Sequence, residues 1–410
     1  MIKKDLQFYK FCAYGFLKNL RFFDAFIIIF FMESGFSFLQ IGVLFSVREI
    51  VVNFTEIITG YLADYFGRKK AMLISFSNYI LGFILFYFQE ELYFIAIIAM
   101  ILLGLGDTFR SGTHKAMILE YLKINGWEND KVEYYGYTRS WSQIGSAVSS
   151  LLAAVIVVWH GNIKIIFLAS VVPYLLDFIL ILSYPSILDG GKQQRTQKSR
   201  LFLASMARDF NLILKNKSVR TIMLNTSTAN AIFKAAKDYI QPMIRQSIVF
   251  VPVLMFLQHE DRSTVFIGVS YFLIYLISAW SSRNAGRFLE KVGNLYSSLN
   301  IIYVGFTIFL ILLGGVIQLN WIIPGICLFV FLHVLQNIEK PIMVSAISET
   351  QDNSLMATAL SIQNQMRALI TAVLAPILGF LIDQFNLSGG FAVTGILLLI
   401  IFPALRLKHA

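Results

Sequence analysis

Apolar stretches of about 20 residues, long enough at about 1.5 Å rise per residue to cross a bilayer as helices, recur along the chain between short polar or glycine-containing breaks. The pattern predicts helices at about 11–31, 40–62, 71–89, 92–112, 141–159, 164–185, 221–245, 264–281, 297–316, 321–345, 357–382 and 390–405. Twelve spans put both termini on one side. The longest break divides them six and six, into an N-terminal bundle over 1–187, a connecting segment over 188–218 and a C-terminal bundle over 219–410. In that connection Phe202, Met206, Phe210, Ile213 and Leu214 stand at helical spacing, with Arg200, Arg208 and Lys215 among the polar positions. This suits an amphipathic helix in the headgroup layer or a plain helical linker.

Composition agrees with an all-α polytopic membrane protein: 57% of residues are hydrophobic and 14% charged, where a soluble domain carries roughly a quarter charged. A cytosolic enzyme is excluded. Lys3, Lys4, Arg68, Lys69, Lys70, Lys123, Lys131, Lys192, Arg195, Lys198, Arg200, Arg287, Lys291, Arg406 and Lys408 fall in alternate loops or at the termini, and mark that side as cytoplasmic. Lys164 and Arg262 stand almost alone in the opposite loops. Topology therefore explains the net charge of +10, and no nucleic-acid partner is called for. Met1-Ile2-Lys3-Lys4 resembles the basic end of a signal peptide, yet the apolar run that follows has full span length and no cleavage site, so it reads as a retained first helix. Cys12 and Cys327 lie far apart in apolar runs, as buried thiols do. Neither HExxH, a phosphate-binding Gly-rich loop, CxxC nor a nucleophile elbow occurs. The chain therefore reads as a non-enzyme with no cofactor or metal site, driven by a solute or ion gradient.

An internal repeat supports the two halves. Gly60-Tyr61-Leu62-Ala63-Asp64-Tyr65-Phe66-Gly67 ends the second span, and Gly286-Arg287-Phe288-Leu289-Glu290-Lys291-Val292-Gly293 follows the eighth, so each half shows glycine, three residues, an acid, two residues and glycine. With Arg68, Lys69 and Lys70 behind it, the first copy closely resembles the cytoplasmic loop signature of the major facilitator superfamily. The resemblance implies two pseudo-symmetric six-helix bundles that rock about a central site in alternating access. It also makes Gly60, Asp64, Gly67, Arg68, Lys69, Gly286, Glu290 and Gly293 candidate gating residues. Asp64 is expected to latch against the N-terminus of a helix starting at Asp352-Asn353-Ser354. The match to drug antiporters in that superfamily is incomplete. Met100 stands where they carry an arginine before Gly104-Leu105-Gly106, and their glycine-proline pattern is missing after Gly145. Phe109-Arg110-Ser111-Gly112 running to Glu120 is similar to a fourth-helix pattern of small drug-exporter-like branches.

Charge inside a span costs on the order of 3 kcal/mol at the bilayer centre, so it marks a cavity or a partner. Lys234, Lys237, Asp238, Gln241 and Arg245 share one face of the seventh span, and His333, Gln336, Asn337 and Lys340 one face of the tenth. Arg139, Ser142, Gln143, Ser146 and Ser149 form a stripe on the fifth, and Glu49, Asn53, Glu56 and Gly60 align on the second. Lys18, Arg21, Arg48, Arg110, Gln143, Lys234, Lys237, Asp238, Gln241, His333, Gln336, Asn337, Gln363 and Arg367 are the candidate cavity residues. Asp24, Glu49 and Asp107, each close in sequence to a cation, are the candidate proton-coupling acids. For each, a fixed salt bridge is the competing role, and Asp177, Arg139 and Glu56 near span ends fit that role equally.

The mid-span cations Lys18, Arg21, Arg48, Arg110, Lys234, Lys237 and Arg367 outnumber the acids Asp24, Glu49, Asp107 and Asp238, which favours an anionic or zwitterionic solute. The expectation is a proton-coupled secondary transporter of a small organic solute in the cytoplasmic (inner) membrane, monomeric, with both termini cytoplasmic. Export by antiport is the leading direction, on the fourth-helix likeness. Proton-coupled uptake or exchange of an organic anion is the alternative, and a transporter-like receptor or lipid-moving protein is the reading from another class.

Overall fold

The computed structural model describes residues 3–127, 130–189, 215–250, 252–283, 285–350 and 356–407. Among these residues all regular structure is helical, with no strand. In chain order the helices are α1 (Leu6–Leu17), α2 (Ile27–Glu33), α3 (Phe38–Phe66), α4 (Arg68–Phe88), α5 (Tyr93–Arg110), α6 (Thr113–Ile124), α7 (Lys131–His160) and α8 (Ile165–Leu182). There follow α9 (Lys217–Ala236), α10 (Ile240–Ser247), α11 (His259–Arg283), α12 (Ala285–Val292), α13 (Leu295–Gln318), α14 (Ile322–Thr350) and α15 (Met356–Leu405). Non-helical dihedrals at Phe385 and Asn386 divide α15 into two arms, which match the expected spans 357–382 and 390–405.

Among the described residues every expected span contains helix, and eight helical stretches are long and apolar enough to cross a membrane. Among the described residues three spans depart from the uniform pattern, two broken at polar residues and one at a glycine. The first is α1 and α2 with turns at 18–26 between them, where Leu20 donates to the Leu17 carbonyl and Asp24 to that of Arg21. Such i to i−3 bonds leave carbonyls without helical partners, and the Tyr174 hydroxyl takes one, bonding the Lys18 carbonyl at 3.1 Å. The fourth span breaks at Gly112, whose φ of 73° suits glycine; the Thr113 hydroxyl returns to the Phe109 carbonyl. The seventh breaks at the 3-10 turn Lys237–Tyr239. Irregular backbone at membrane depth persists only where protein or a polar cavity satisfies it.

The chain divides into two compact units, Met1–Phe26 with Ile50–Leu201, and Ile27–Glu49 with Phe202–Ala410. In the first, α1 and α7 approach closely: a Cβ on Gly145 would lie 2.5 Å from the Phe16 carbonyl oxygen. In the second, Gly42 and Gly379 pack against the backbone at Ala375 and Phe38, bringing the start of α3 onto α15. Asp383 of α15 accepts from the Phe38 and Leu39 amides at 2.9 and 2.7 Å, capping α3 from another helix. The apolar segment after α10 forms a 3-10 turn at Ile248–Phe250. Arg262 fastens it by donating to the carbonyls of Val253 and Ile248.

The two repeat copies both close on a glycine of positive φ. Gly67 and Gly293 both hold positive φ, 106° and 77°, one before α4 and one after α12. The helices that follow are capped differently. Asn294 caps α13 from its own chain position, accepting from the amides of Tyr296 and Ser297. For α4, Asp189, at the end of the 3-10 turn Ser186–Asp189, accepts from the Lys69 amide at 2.6 Å. The side chain of Asp64 and residues 351–355, on which the latch expectation rests, lie outside the described residues, as do 190–214 of the connecting segment. Cys12 is buried as expected, but Cys327 is exposed on α14, because its place on that helix faces away from the packed core.

Candidate functional site

In the first unit the broken α1 and the end of α5 place charge against aromatic hydroxyls. Arg21 pairs with Asp24 at 3.1 Å. Asp107 accepts from the Tyr79 hydroxyl at 2.6 Å and lies 3.6 Å from Arg110, whose Nε donates to the same hydroxyl at 3.1 Å. Lys18 reaches over the Tyr14 ring, and His114 stacks on that ring at 3.6 Å while its Nε2 meets the Tyr184 hydroxyl at 3.2 Å. Asp177 of α8 is fully buried with no hydrogen bond to either carboxylate oxygen. Lys18 and Arg110 are the cations close enough to act on it electrostatically.

In the second unit a lysine and a glutamate predicted from different spans meet: Lys234 Nζ lies 2.6 Å from Glu49 Oε1. Arg48 and Arg367 add positive charge around Lys234. One turn further along, Lys237 pairs with its neighbour Asp238 at 2.7 Å, and Asp238 accepts from the Tyr271 hydroxyl. Gln241 is fully buried and structural in its contacts: Oε1 accepts from the Ile28 amide at 2.8 Å, starting α2, and Nε2 donates to Tyr271. Arg245 bridges Glu33 at 2.9 Å. A third network joins α9 to α14. Gln336 donates to Asn230 at 2.6 Å, and Asn230 donates to Glu339 Oε2 at 2.6 Å, while Oε1 of the buried Glu339 has no hydrogen bond.

The remaining candidates are placed singly. His333 bonds the Phe329 carbonyl and Asn337 the His333 carbonyl, both within α14. Gln363 is buried beside Ser227, which donates to its carbonyl. Gln143 is exposed on α7. The structure adds Tyr14, Tyr79, His114 and Glu339 to the polar interior and, among the described residues, buries Asp177 there without the fixed salt bridge expected of it. Glu339 had a signal in the sequence, lying three residues beyond Gln336 on the same helical stripe; His114 and the tyrosines had none. Asp177 and Glu339 also cut the cationic excess: the first unit holds Lys18, Arg21 and Arg110 against Asp24, Asp107 and Asp177, so the surplus sits around Glu49 in the second. Among the described residues no group of histidine, cysteine or carboxylate side chains could hold a metal ion.

The model of the Major Facilitator Superfamily matches residues 15–376. The chain belongs to this superfamily. A relative from Bacillus subtilis (strain 168), named "Uncharacterized MFS-type transporter YxaM", is 24% identical over 379 residues, covering 91% of this chain and 88% of its own. Solved structures share the superfamily fold at low identity. A crystal structure of a mutant form of the nucleoside transporter NupG superposes with a TM-score of 0.77 at 15% identity, covering 97% of this chain and 99% of that one. The D-xylose-proton symporter gives 0.67 at 14%, with 98% of each chain covered. The superfamily fold thus accounts for the apolar spans and for the repeat that precedes α4 and closes α12.

Proposed function

We propose that this superfamily member is a proton-coupled secondary transporter of a small hydrophilic organic anion or zwitterion. The Glu49–Lys234 pair is the observation that carries the reading. Glu49 is a buried carboxylate amid three cations, and its lysine partner is 37% exposed, so a solute carboxylate or phosphate can compete for Lys234. A proton on Glu49 releases Lys234 to the solute; loss of the proton restores the pair and expels the solute. Coupling of this kind needs one acid whose two charge states are matched by two partners. The proton-coupled and polar-solute assignments of the structural neighbours support the reading, since their names give a D-xylose-proton symporter and a nucleoside transporter.

In this cycle proton and solute bind together, so the pair serves uptake or exchange; export by antiport, the direction favoured by the short fourth-helix likeness, needs proton and solute to displace one another at Lys234. On this reading the protein works in the cytoplasmic membrane with both termini cytoplasmic, following the basic loops, and as a monomer, following the closed two-half design. The test is a thermal-shift screen of the purified protein against organic anions, zwitterions, nucleosides and lipophilic cations, because a ligand of the folded state raises stability by mass action. Stabilisation by anions or zwitterions that is lost in Lys234→Met supports the proposal. Stabilisation by lipophilic cations alone overturns it.

A further inference from the structure

The first unit has an open cleft on the face that carries the basic loops, separate from its buried charge clusters. It measures about 330 Å³. Arg68 at the start of α4, Leu119, Glu120 and Lys123 of α6, and Lys131 at the start of α7 line it. We propose that this cleft binds a phosphate group, supplied by the headgroup of an anionic lipid or as free inorganic phosphate.

Three cations face one carboxylate there, and none of the three is fully engaged. Arg68 Nη1 reaches the Ala116 carbonyl at 3.3 Å and Glu120 at 3.5 Å, both long contacts. Its Nε and Nη2 make no hydrogen bond among the described residues. Lys123 and Lys131 are exposed and form no ion pair among the described residues. A guanidinium fork beside two ammonium groups is the donor set that phosphate oxygens take up.

The adjacent basic residue shows the contrast. Lys69 is committed, donating to the carbonyls of Leu182 and Tyr184 at 2.6 and 2.9 Å, and Asp189 occupies the Lys69 amide at the start of α4. At the start of α4 the positive character therefore comes from the Arg68 side chain, and not from the helix end. Glu120 keeps Arg68 aimed into the cleft. Leu119, 41% exposed, offers an apolar wall where an acyl chain would leave a headgroup. A basic cleft at a membrane surface gains about fivefold in affinity for an anionic lipid per cation. This inference is independent of the proton-coupling proposal.

The test uses the purified full-length protein, titrated with short-chain phosphatidylglycerol, with short-chain phosphatidylcholine, and with sodium phosphate against sodium chloride of equal ionic strength. Unfolding temperature is the readout, and its concentration dependence gives apparent Kd. Lys123→Gln/Lys131→Gln, changed only at exposed positions, is compared with the wild type. We expect saturable stabilisation by phosphatidylglycerol and not by phosphatidylcholine, with Kd weakened about 25-fold in the double variant, or fivefold for each cation. Stabilisation by sodium phosphate alone, lost in the same variant, assigns the site to free phosphate. Equal stabilisation by both lipids, an undiminished effect in the double variant, or no stabilisation by either phosphate source overturns the proposal.

Discussion

Lys234 Nζ lies 2.6 Å from Glu49 Oε1, joining two residues 185 positions apart whose spans each showed a polar face in sequence. Their exposures differ. Glu49 is 6% exposed, so its charge depends on the lysine, whereas the lysine can turn to another anion. Glu49→Gln leaves Lys234 without its carboxylate, beside the positive charge of Arg48 and Arg367. Breaking a fully buried pair costs about 3–5 kcal/mol, and the partial exposure of Lys234 reduces this to roughly 1–3 kcal/mol. Adding Lys234→Met to Glu49→Gln should restore part of the loss, a coupling that a double-mutant cycle of unfolding temperatures measures. Additive losses would mean that the two side chains do not stabilise each other.

Asp177 and Asp107 occupy the same unit and should respond to neutralisation with opposite signs. Asp107 accepts from Tyr79 and faces Arg110; Asp107→Asn keeps an oxygen for Tyr79 but removes the charge opposite Arg110, and should cost about 1–3 kcal/mol. Asp177 is buried with neither oxygen hydrogen-bonded, and burying an unbonded carboxylate is unfavourable. Asp177→Asn should therefore leave the unfolding temperature unchanged or raise it. A loss equal to that of Asp107→Asn would show that Asp177 is held by its cations as firmly as Asp107 is.

Gly67 and Asp189 should be coupled through the start of α4. A Cβ at position 67 would lie 3.2–3.3 Å from the Asp189 carboxyl atoms, at a φ of 106°. Gly67→Ala should cost about 1–2 kcal/mol, and Asp189→Ala about 1 kcal/mol through the lost cap. Because the alanine methyl meets Asp189 itself, the double variant should lose less than the sum. Full additivity in the unfolding temperatures would place the strain in the backbone alone.

Periodicity and loop charge make much of the fold legible, since a bilayer imposes a length and an apolarity that local sequence must meet. The repeat glycines are legible for a similar reason: Gly67 and Gly293 hold backbone conformations that other residues adopt at a cost. Gly112 shows its own break, but those at 18–26 and 237–239 were hidden. No proline or glycine marks the turns at 18–26, which hold because Tyr174, remote in sequence, takes the Lys18 carbonyl. Caps in trans, Asp189 on α4 and Asp383 on α3, are likewise invisible to local reading. For the candidate site, spacing identified which helix faces carry charge but not which residues meet. Arg48 and Arg21 were the sequence neighbours of Glu49 and Asp24, yet Glu49 pairs with Lys234 of a remote span while Asp24 pairs with Arg21. Gln241, at the same helical spacing as Lys234, is spent on starting α2.

The most direct test of the account is proton movement driven by solute. Proteoliposomes of the wild type and of Glu49→Gln are loaded with a pH-sensitive dye, and the solute that best stabilises the purified protein is added outside without any imposed gradient. The account predicts a change in internal pH with the wild type, and none with Glu49→Gln, although Glu49→Gln still exchanges labelled for unlabelled solute. Solute-driven pH changes of equal size in both proteins would contradict it.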